Sequence, residues 1–391
     1  MTPYWILFIF FAFLALLTQP FNFKNGRLYL TNLENLYLLL FKWFCILFLV
    51  FFIGLRYEVG GDWLNYKEIY FDLAKANFLE ALLYATDPLF GIFNWLAAKL
   101  YLADGSSFGP LNWRDNIVHG YLLVNVFSAF LFSIGLIKFC FSLPRPILAI
   151  VVAVPYLIIV VSMGYVRQGA ALGLIMYGTT YLSDNNIRKF IFFILIAALI
   201  HKASLIMLPL SIFISTRNKF FLFLGISLLA VVSGIILLES YIERVYLNYI
   251  EAEYSSSGAI FRLGMLLPPS IIFLYYQNKF PISGTLSNFW KISSISSIVL
   301  FLMLFFTSFS TFIDRIALFF LPLQMVVFSY LPDLFHKKYS SFLELGIVFY
   351  CAIVLFVWLN FAANSWAWIP YENILFLEQS NISYATDSPK T

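Results

Sequence analysis

The sequence predicts an all-α, polytopic integral membrane protein, and three observations lead to that class. Hydrophobic residues make up 62% of the 391-residue chain, and the mean hydropathy is +0.87. Charged residues account for only 11%, far fewer than the surface of a soluble domain requires. Apolar stretches of about 20 residues recur along the chain, long enough to cross a hydrocarbon core of roughly 30 Å as helices. Interspersed Gly and Pro argue against the alternating pattern of a membrane β-barrel.

We expect about 10–12 transmembrane or re-entrant helices in a single polytopic domain over residues 1–391. Two segments do not fit a simple span: residues 87–101 are too few, and the apolar run 190–215 is interrupted by His201 and Lys202. That run is expected to form a bent or re-entrant hairpin with its turn at these two residues. The start of the chain lacks the features of a cleaved signal peptide and is expected to be a retained span. Simple spans are predicted near 3–19, 36–54, 118–137, 146–163, 165–183, 219–238, 263–278, 287–308, 313–331 and 342–360.

The charge distribution orients these spans, since cytoplasmic loops of membrane proteins collect Lys and Arg. Placing residues 20–35 inside puts 13 of the 24 basic residues, but only 4 of the 20 acidic residues, on the inner side. The outer side then keeps the other 11 basic and 16 acidic residues. The segments expected outside the cytoplasm are the loop 55–117, the loop 239–262 and the tail 361–391.

The outer loop 55–117 is expected to contain an amphipathic helix that lies on the membrane surface. The period of residues 63–84 indicates that helix, with Trp63, Tyr66, Tyr70 and Phe71 as interface anchors. Asp62 directly precedes it and lies one helical turn from Tyr66. Asp62 is therefore either a simple helix N-cap or a polar group of an outward-facing site.

Four arginines lie where apolar segments begin or end on the outer side, a side on which arginine is not favoured. Each could extend its guanidinium to the lipid headgroups and do nothing more. Four at one level instead favour an anion site, because the planar guanidinium offers a fork of donors that fits phosphate oxygens. A lipid-linked diphosphate has its headgroup at that depth. The four are Arg56, Arg167, Arg262 and Arg315.

His201 lies inside an apolar run, at the expected outward-facing break. A lone buried histidine is more often a packed core residue than a catalyst. Ionisable groups at membrane depth usually line a cavity, however, and an imidazole can accept a proton near neutral pH. No histidine pair has metal-ligand spacing, and no Gly-rich phosphate loop is present, so no metal, cofactor or nucleic acid is expected.

Six patches of the sequence occur in an order and spacing that cover most of the chain, and together they resemble a known family. It is the EpsG-type family of bacterial exopolysaccharide and O-antigen polymerases, which are Wzy-like membrane glycosyltransferases. The patches are "LRYEVGGDWLNY", "DPLF" followed by Asn94, "GYVRQGAALGL", "ALIHKASLIMLPL", "DRIALFF" and "WIPYENI".

The resemblance implies joining of undecaprenyl-diphosphate-linked oligosaccharide repeat units into a surface polysaccharide at the outer face of the bacterial cytoplasmic membrane. It implies a fold similar to the C-type glycosyltransferase superfamily. The implied partners are a lipid-linked oligosaccharide substrate, the membrane itself and, as a further candidate, a chain-length regulator.

That reaction assigns roles to the residues singled out above. Arginines would stabilise the departing diphosphate, and a base would take the proton of the attacking hydroxyl, with His201 the first choice and Asp62 the second. Tyrosines would stack on sugar rings, although in a chain with 20% aromatic residues simple packing is the more common role for each of them. The predicted catalytic residues are His201, Asp62 and Arg167, and the predicted substrate-binding residues are Arg56, Arg262, Arg315, Tyr66 and Tyr371.

Three other functions remain open at this point. A flippase or transporter for lipid-linked oligosaccharide would also need an arginine-lined cavity, but it should show an internal repeat, and the two halves show no convincing one. An O-antigen ligase would use nearly the same chemistry with another acceptor. A membrane O-acyltransferase could be built around His201.

Overall fold

The computed structural model confirms the all-α membrane class. Helices dominate the described part of the chain, and its strands are a two-residue antiparallel pair, Phe23–Lys24 with Arg27–Leu28. The residues described are 1–18, 20–21, 23–24, 27–28, 32–83, 87–102, 112–214, 258–306 and 310–377.

The first half of the chain forms eleven described α-helices, α1 to α11. Proline begins several of them, at a position where its missing N–H removes no helical hydrogen bond. The helices are α1 Thr2–Leu17, α2 Asn32–Gly54, α3 Trp63–Lys75, α4 Phe78–Leu83, α5 Pro88–Leu102, α6 Asn112–Cys140, α7 Pro146–Ala153, α8 Ser162–Gly164, α9 Val166–Thr179, α10 Ile187–Ile200 and α11 Met207–Ile214.

The second half continues with six more described α-helices, and short 3₁₀ turns join several neighbours. The helices are α12 Ala259–Gly264, α13 Leu267–Tyr276, α14 Gly284–Met303, α15 Ser310–Ala317, α16 Pro322–Leu334 and α17 Ser340–Phe361. The 3₁₀ turns are Thr180–Leu182, Lys202–Ile206, Gln277–Lys279, Leu318–Phe320, Lys337–Tyr339, Ser365–Trp368 and Ile374–Phe376.

Six described helical segments are long and apolar enough to cross a membrane, and each coincides with a predicted span. They are Leu33–Gly54, Gly120–Cys140, Pro146–Gly164, Ala259–Lys279, Gly284–Met303 and Ser340–Phe361. A seventh span is counted if Ser310–Phe320 and Pro322–Leu334, bent by 43°, are one broken helix. The predicted span 219–238 and most of the predicted loop 239–262 lie outside the described residues.

Two predicted spans are shorter in the structure than a full crossing. The predicted span 3–19 is α1, an apolar helix of 16 residues. The predicted span 165–183 contains α9, which has 14 residues, or roughly 21 Å of helix, before the chain tightens into a 3₁₀ turn. For α9 the short length agrees with its burial inside the bundle, where a helix need not match the bilayer thickness.

The span Pro146–Gly164 is the central helix of the protein, and it is buried along its whole length. Its residues are apolar on all sides, as expected for a helix surrounded by others. Pro155 has no N–H and its ring crowds the preceding turn, and the helix widens to a π-helix over Val154–Val161 at this point. The central helix is therefore α7, the π-helix and α8 in sequence.

Helices α6 and α9 pack at very short range beside the central helix. A Cβ atom placed on Gly135 of α6 would lie 1.8 Å from the carbonyl oxygen of Gly173 in α9. Only glycine permits this approach, and small residues at helix contacts are typical of membrane proteins. The contact fixes α9, which carries Arg167, against α6.

The predicted interruption at His201 and Lys202 is present. Helix α10 ends at Ile200, His201 is extended with φ −153° and ψ 102°, and Lys202 begins a 3₁₀ turn. Residues 215–257 lie outside the described residues, so the return arm of the predicted hairpin is described only as far as α11.

The amphipathic helix predicted after Asp62 is α3, but its aromatic residues face protein and not the membrane interface. Trp63, Tyr66 and Tyr70 are buried in a cluster with Phe90 of α5 and Tyr121 of α6. The interpretation as interface anchors was wrong, because residues of α5 and α6 pack over the same face and cover it. Helices α3 to α5 form a small layer with its own core, called here the cap.

Charged side chains gather at the two ends of the central helix. At its start, Arg145 donates to both Asp333 oxygens, at 2.6 and 2.9 Å, and to Glu344 at 2.7 Å. At its other end lie the cap and Arg167. The helix between has 19 residues, or roughly 28 Å of α-helical rise. Two polar ends one bilayer apart agree with a membrane-spanning bundle, and which end faces the cytoplasm stays a prediction.

This arrangement predicts which residues a membrane-impermeant thiol reagent reaches. Glu68→Cys, exposed on the cap, should react in intact cells, whereas Lys338→Cys, exposed beside the Arg145 end, should react only after lysis. The native Cys45, Cys140 and Cys351 are buried, so the wild-type protein provides a low background. The reverse labelling pattern would place the Arg167 end in the cytoplasm and contradict the predicted orientation.

Candidate functional site

The carboxylate of Asp87 is the centre of the polar cluster at the cap end of the central helix. Its Oδ2 accepts a hydrogen bond from the Arg167 guanidinium at 2.5 Å. Its Oδ1 accepts from the backbone N–H of Lys202 at 3.0 Å. Asp87 therefore connects three separate parts of the fold: the start of α5, the start of α9 and the interruption after α10.

Arg167 lies on an aromatic floor formed by the cap. Its guanidinium carbon is 5.4 Å from the ring centroid of Tyr66 and 5.7 Å from that of Phe90, within the range of cation–π attraction. The Arg167 side chain is 24% exposed, whereas that of Asp87 is 3% exposed. The carboxylate thus holds the guanidinium from the buried side, and part of the arginine stays accessible.

His201 lies next to this pair, at the end of α10. Its backbone N–H donates to the carbonyl of Ala197, the last hydrogen bond of α10, and its own carbonyl accepts from the backbone N–H of Ser204. Among the described residues, neither ring nitrogen of His201 has a hydrogen-bond partner. The charged groups that act on the ring are Asp87, Arg167, Arg315 and Lys202. Both nitrogens of the imidazole are therefore buried and unpaired within the described cluster of charges.

Arg262 is held by a carboxylate of its own. Its guanidinium donates to both oxygens of Asp314, each at 2.6 Å, and both side chains are largely buried. Such two-point pairing uses one full edge of the guanidinium. The pair joins α12 to α15 and so positions the next residue along α15, Arg315.

Arg315 and Asp62 complete the cluster. The Arg315 side chain is exposed, and its backbone carbonyl accepts from Gln168 at 2.7 Å, which ties α15 to α9 beside Arg167. Asp62 is the N-cap residue of α3, but its side chain makes no capping hydrogen bond. Burial raises the pKa of Asp62, while the positive charges of Arg315 and Arg167 act to lower it. Asp62 therefore faces the same arginines that the sequence grouped with it.

Arg56 occupies a different environment from the other three arginines. It is 1% exposed and donates to the backbone carbonyls of Ile53 at 2.6 Å, Val59 at 3.0 Å and Met163 at 2.7 Å. Gly60 follows with φ +112°, and a Cβ there would lie 2.5 Å from the Met163 carbonyl oxygen. These contacts favour a structural role for Arg56, in place of the substrate-binding role expected from its sequence position.

The two tyrosines predicted to stack on sugars are both engaged in packing. Tyr66 is buried beneath Arg167 and Phe90. Tyr371 stacks on Phe52 at 4.6 Å and donates from its hydroxyl to the Phe52 carbonyl at 2.8 Å. An apolar groove of about 340 Å³ lies beside Tyr371, between α1, α2 and the segment 371–377, away from the arginine cluster.

Asp87 and Asp314 are the residues of this cluster to which the sequence assigned no role. The local sequence around each has a recognisable feature, but that feature alone does not predict the contact seen in the structure. Asp87 precedes a proline at the start of a helix, and Asp314 precedes an arginine in an apolar segment. Their partners lie 80 and 52 positions away, and separations of that size cannot be read from local spacing.

The described residues contain no group of three or more His, Cys, Asp or Glu side chains arranged to hold a metal ion. The site offers several charged or ionisable side chains of its own. These are guanidinium donors, two carboxylates that pair with them, the imidazole of His201 and the carboxyl group of Asp62.

The fold and this cluster define a class of protein: a multi-pass helical membrane protein with an arginine-rich polar site at one end of its bundle. The sequence model of the EpsG family matches residues 39–104 and 111–373, and the chain belongs to that family. The family is bacterial, and membership indicates a role of the exopolysaccharide polymerase type. No curated protein and no solved structure matches the chain.

The structural role of Arg56 predicts a specific stability defect. Arg56→Leu should lower the free energy of unfolding by about 3 kcal/mol or more, because three buried carbonyls lose their charged donor. Arg188→Leu, which changes an exposed arginine, is the matched control and should keep a wild-type thermal midpoint. The purified variants are heated in detergent, and the fraction that stays monodisperse at each temperature gives the thermal midpoint of each. Equal midpoints for the two variants would contradict the structural role.

Proposed function

We propose that this protein is a polymerase that joins undecaprenyl-diphosphate-linked oligosaccharide repeat units into a surface polysaccharide. The growing chain leaves one lipid carrier and is transferred to the non-reducing end of a unit on another carrier. The reaction takes place at the outer face of the bacterial cytoplasmic membrane. Family membership supports the general role, and the cluster around Arg167 and His201 is the observation that carries the chemistry.

The arginines stabilise the negative charge that grows on the diphosphate as the sugar C1–oxygen bond breaks. Arg167 is the principal donor, since Asp87 and the aromatic floor fix its orientation while part of its guanidinium stays accessible. Arg315 supplies a second positive charge from α15. Donors that are fixed before the reaction stabilise a transition state without costing reorganisation energy.

His201 is the general base of the proposed reaction. The attacking sugar hydroxyl forms the new bond to C1, its proton passes to a ring nitrogen of His201, and the lipid diphosphate departs with the bonding electron pair. Within the described part of the chain, neither ring nitrogen has a hydrogen-bond partner to give up before it accepts a proton, and this supports the assignment, although both nitrogens are buried in the absence of substrate. Asp62 is the alternative base, since it lies close enough to Arg315 and Arg167 for their charges to act on it.

The other three functions differ in the products that a deletion strain would make. A polymerase produces a ladder of repeat lengths, which the deletion removes. Loss of an O-antigen ligase leaves polymer attached to its carrier, loss of an acyltransferase changes only ester content, and loss of a flippase leaves single units on the cytoplasmic side. Carbohydrate profiling of the deletion strain therefore separates a ligase and an acyltransferase from a polymerase, and the side of the membrane on which single units remain separates a flippase.

Arg167→Lys should lose most activity despite keeping the charge, because an ammonium group cannot reproduce the planar fork of the guanidinium. We expect a fall of about a hundredfold in the rate of extension, comparable to removal of one preorganised donor. The measurement is extension in vitro of a purified lipid-linked repeat unit. Arg188→Lys, which changes an exposed arginine at the opposite end, is the matched control. Near-normal extension by Arg167→Lys would reduce that residue to a generic charge.

His201→Ala should abolish extension while leaving donor binding nearly intact, since a proton acceptor in the transition state adds little to ground-state affinity. The expected loss is about a hundredfold to ten-thousandfold, typical of a general base. His336→Ala, which changes an exposed histidine near the Arg145 end, is the control, and size exclusion verifies folding of both variants. Normal extension by His201→Ala would move the base assignment to Asp62.

A further inference from the structure

Asp87 has more contacts across the fold than a helix N-cap requires. It is 2% exposed, directly precedes Pro88 of α5, and its backbone carbonyl begins that helix by accepting from Gly91. Its side-chain oxygens point away from α5, one to Arg167 and one to the backbone of Lys202. The carboxylate is therefore used entirely for contacts with other elements.

The contact with Lys202 fixes the position of His201. The N–H of Lys202 is the first donor after the interruption, where no helical carbonyl is available to it. Asp87 accepts from that N–H and thereby holds the peptide that directly follows His201. The Cα of His201 is directly bonded to this peptide. The position of the imidazole therefore depends on where the Asp87 carboxylate lies.

The same carboxyl group also fixes Arg167, the proposed donor to the phosphate, through its other oxygen. Burial of a carboxylate is costly unless its oxygens are paired, and here the pairing involves both oxygens at once. Movement of Asp87 would therefore release the guanidinium and the peptide after His201 together. One carboxylate sets the distance between the proposed phosphate donor and the proposed base.

We propose that Asp87 is a positioning residue that aligns Arg167 with His201 in the active site. This inference rests on the proposed function, since it assigns the geometry of that same site. Asp87 does not touch the substrate. It acts through Arg167 and through the backbone after His201.

The test is a double-mutant cycle on the rate of extension of a lipid-linked repeat unit. Asp87→Asn keeps the shape of the side chain and one good acceptor, and it should slow extension by about tenfold to a hundredfold, by analogy with partners that orient metal ligands. In the Arg167→Lys background the same substitution should add little further loss, because the alignment is already broken.

The matched control weakens an ion pair at the other end of the protein, between the buried Arg145 and the half-exposed Asp333. Asp333→Asn weakens the pairing of Arg145 and should lower the thermal midpoint without changing the extension rate of the folded fraction. Combined with Arg167→Lys, it should leave the rate loss of that variant unchanged, as expected for a site that is not coupled to Arg167. This contrast separates alignment of the site from a general effect on stability.

Three results would overturn the inference for a wild-type protein that extends the substrate: near-normal extension by Asp87→Asn, full multiplication of its loss with that of Arg167→Lys, or equal coupling for Asp333→Asn. If Asp87→Asn does not fold, Asp87→Glu replaces it. It keeps the charge but moves the carboxylate by one methylene, so it should fold and still lose rate, and a wild-type rate would overturn the inference. Absence of extension by the wild-type protein would instead reject the proposed function.

Discussion

The buried guanidinium of Arg56 is the interaction on which the cap end of the protein depends. It binds carbonyls at the end of α2, in the following turn and at the end of the central helix, and it also donates to Asn125 of α6 at 3.4 Å. A guanidinium at 1% exposure needs hydrogen-bond acceptors for its N–H groups. Separating these elements would remove the acceptors and cost a large free energy. Asp62 and Arg167 lie a few residues beyond two of the contact points. The positions of both site residues therefore follow from this one structural arginine.

The candidate site around Arg167 consists of positive and negative side chains that pair with each other among apolar residues. Arg167 is paired with Asp87, and Arg262 with Asp314, so a diphosphate would enter a site where the carboxylates already orient the guanidinium groups. Arg315, exposed on α15, gives the cluster additional positive charge. This pairing allows several charged residues to lie together in a bundle whose chain has only 11% charged residues.

The sequence predicted the features that depend on local composition. Apolar length located the six confirmed spans, and the ionisable pair at 201 and 202 located the interruption after α10. The features it missed depend on residues far apart in the chain. Burial of the α3 aromatics required the return of α5 over the same face, and the pairing of Asp87 with Arg167 joins positions 80 apart. In the sequence Arg56 resembled Arg167, Arg262 and Arg315, because its carbonyl partners are backbone atoms, which no side-chain pattern reveals.

The most direct test of the account is a cryo-electron microscopy structure of the protein in lipid nanodiscs with a bound lipid-linked diphosphate sugar. The account predicts phosphate oxygens within about 3 Å of the Arg167 guanidinium, the distance of a charge-assisted hydrogen bond, with Arg315 nearby and the sugar C1 facing His201. Density for the diphosphate at the Arg145 end, or in the apolar groove beside Tyr371, would contradict it.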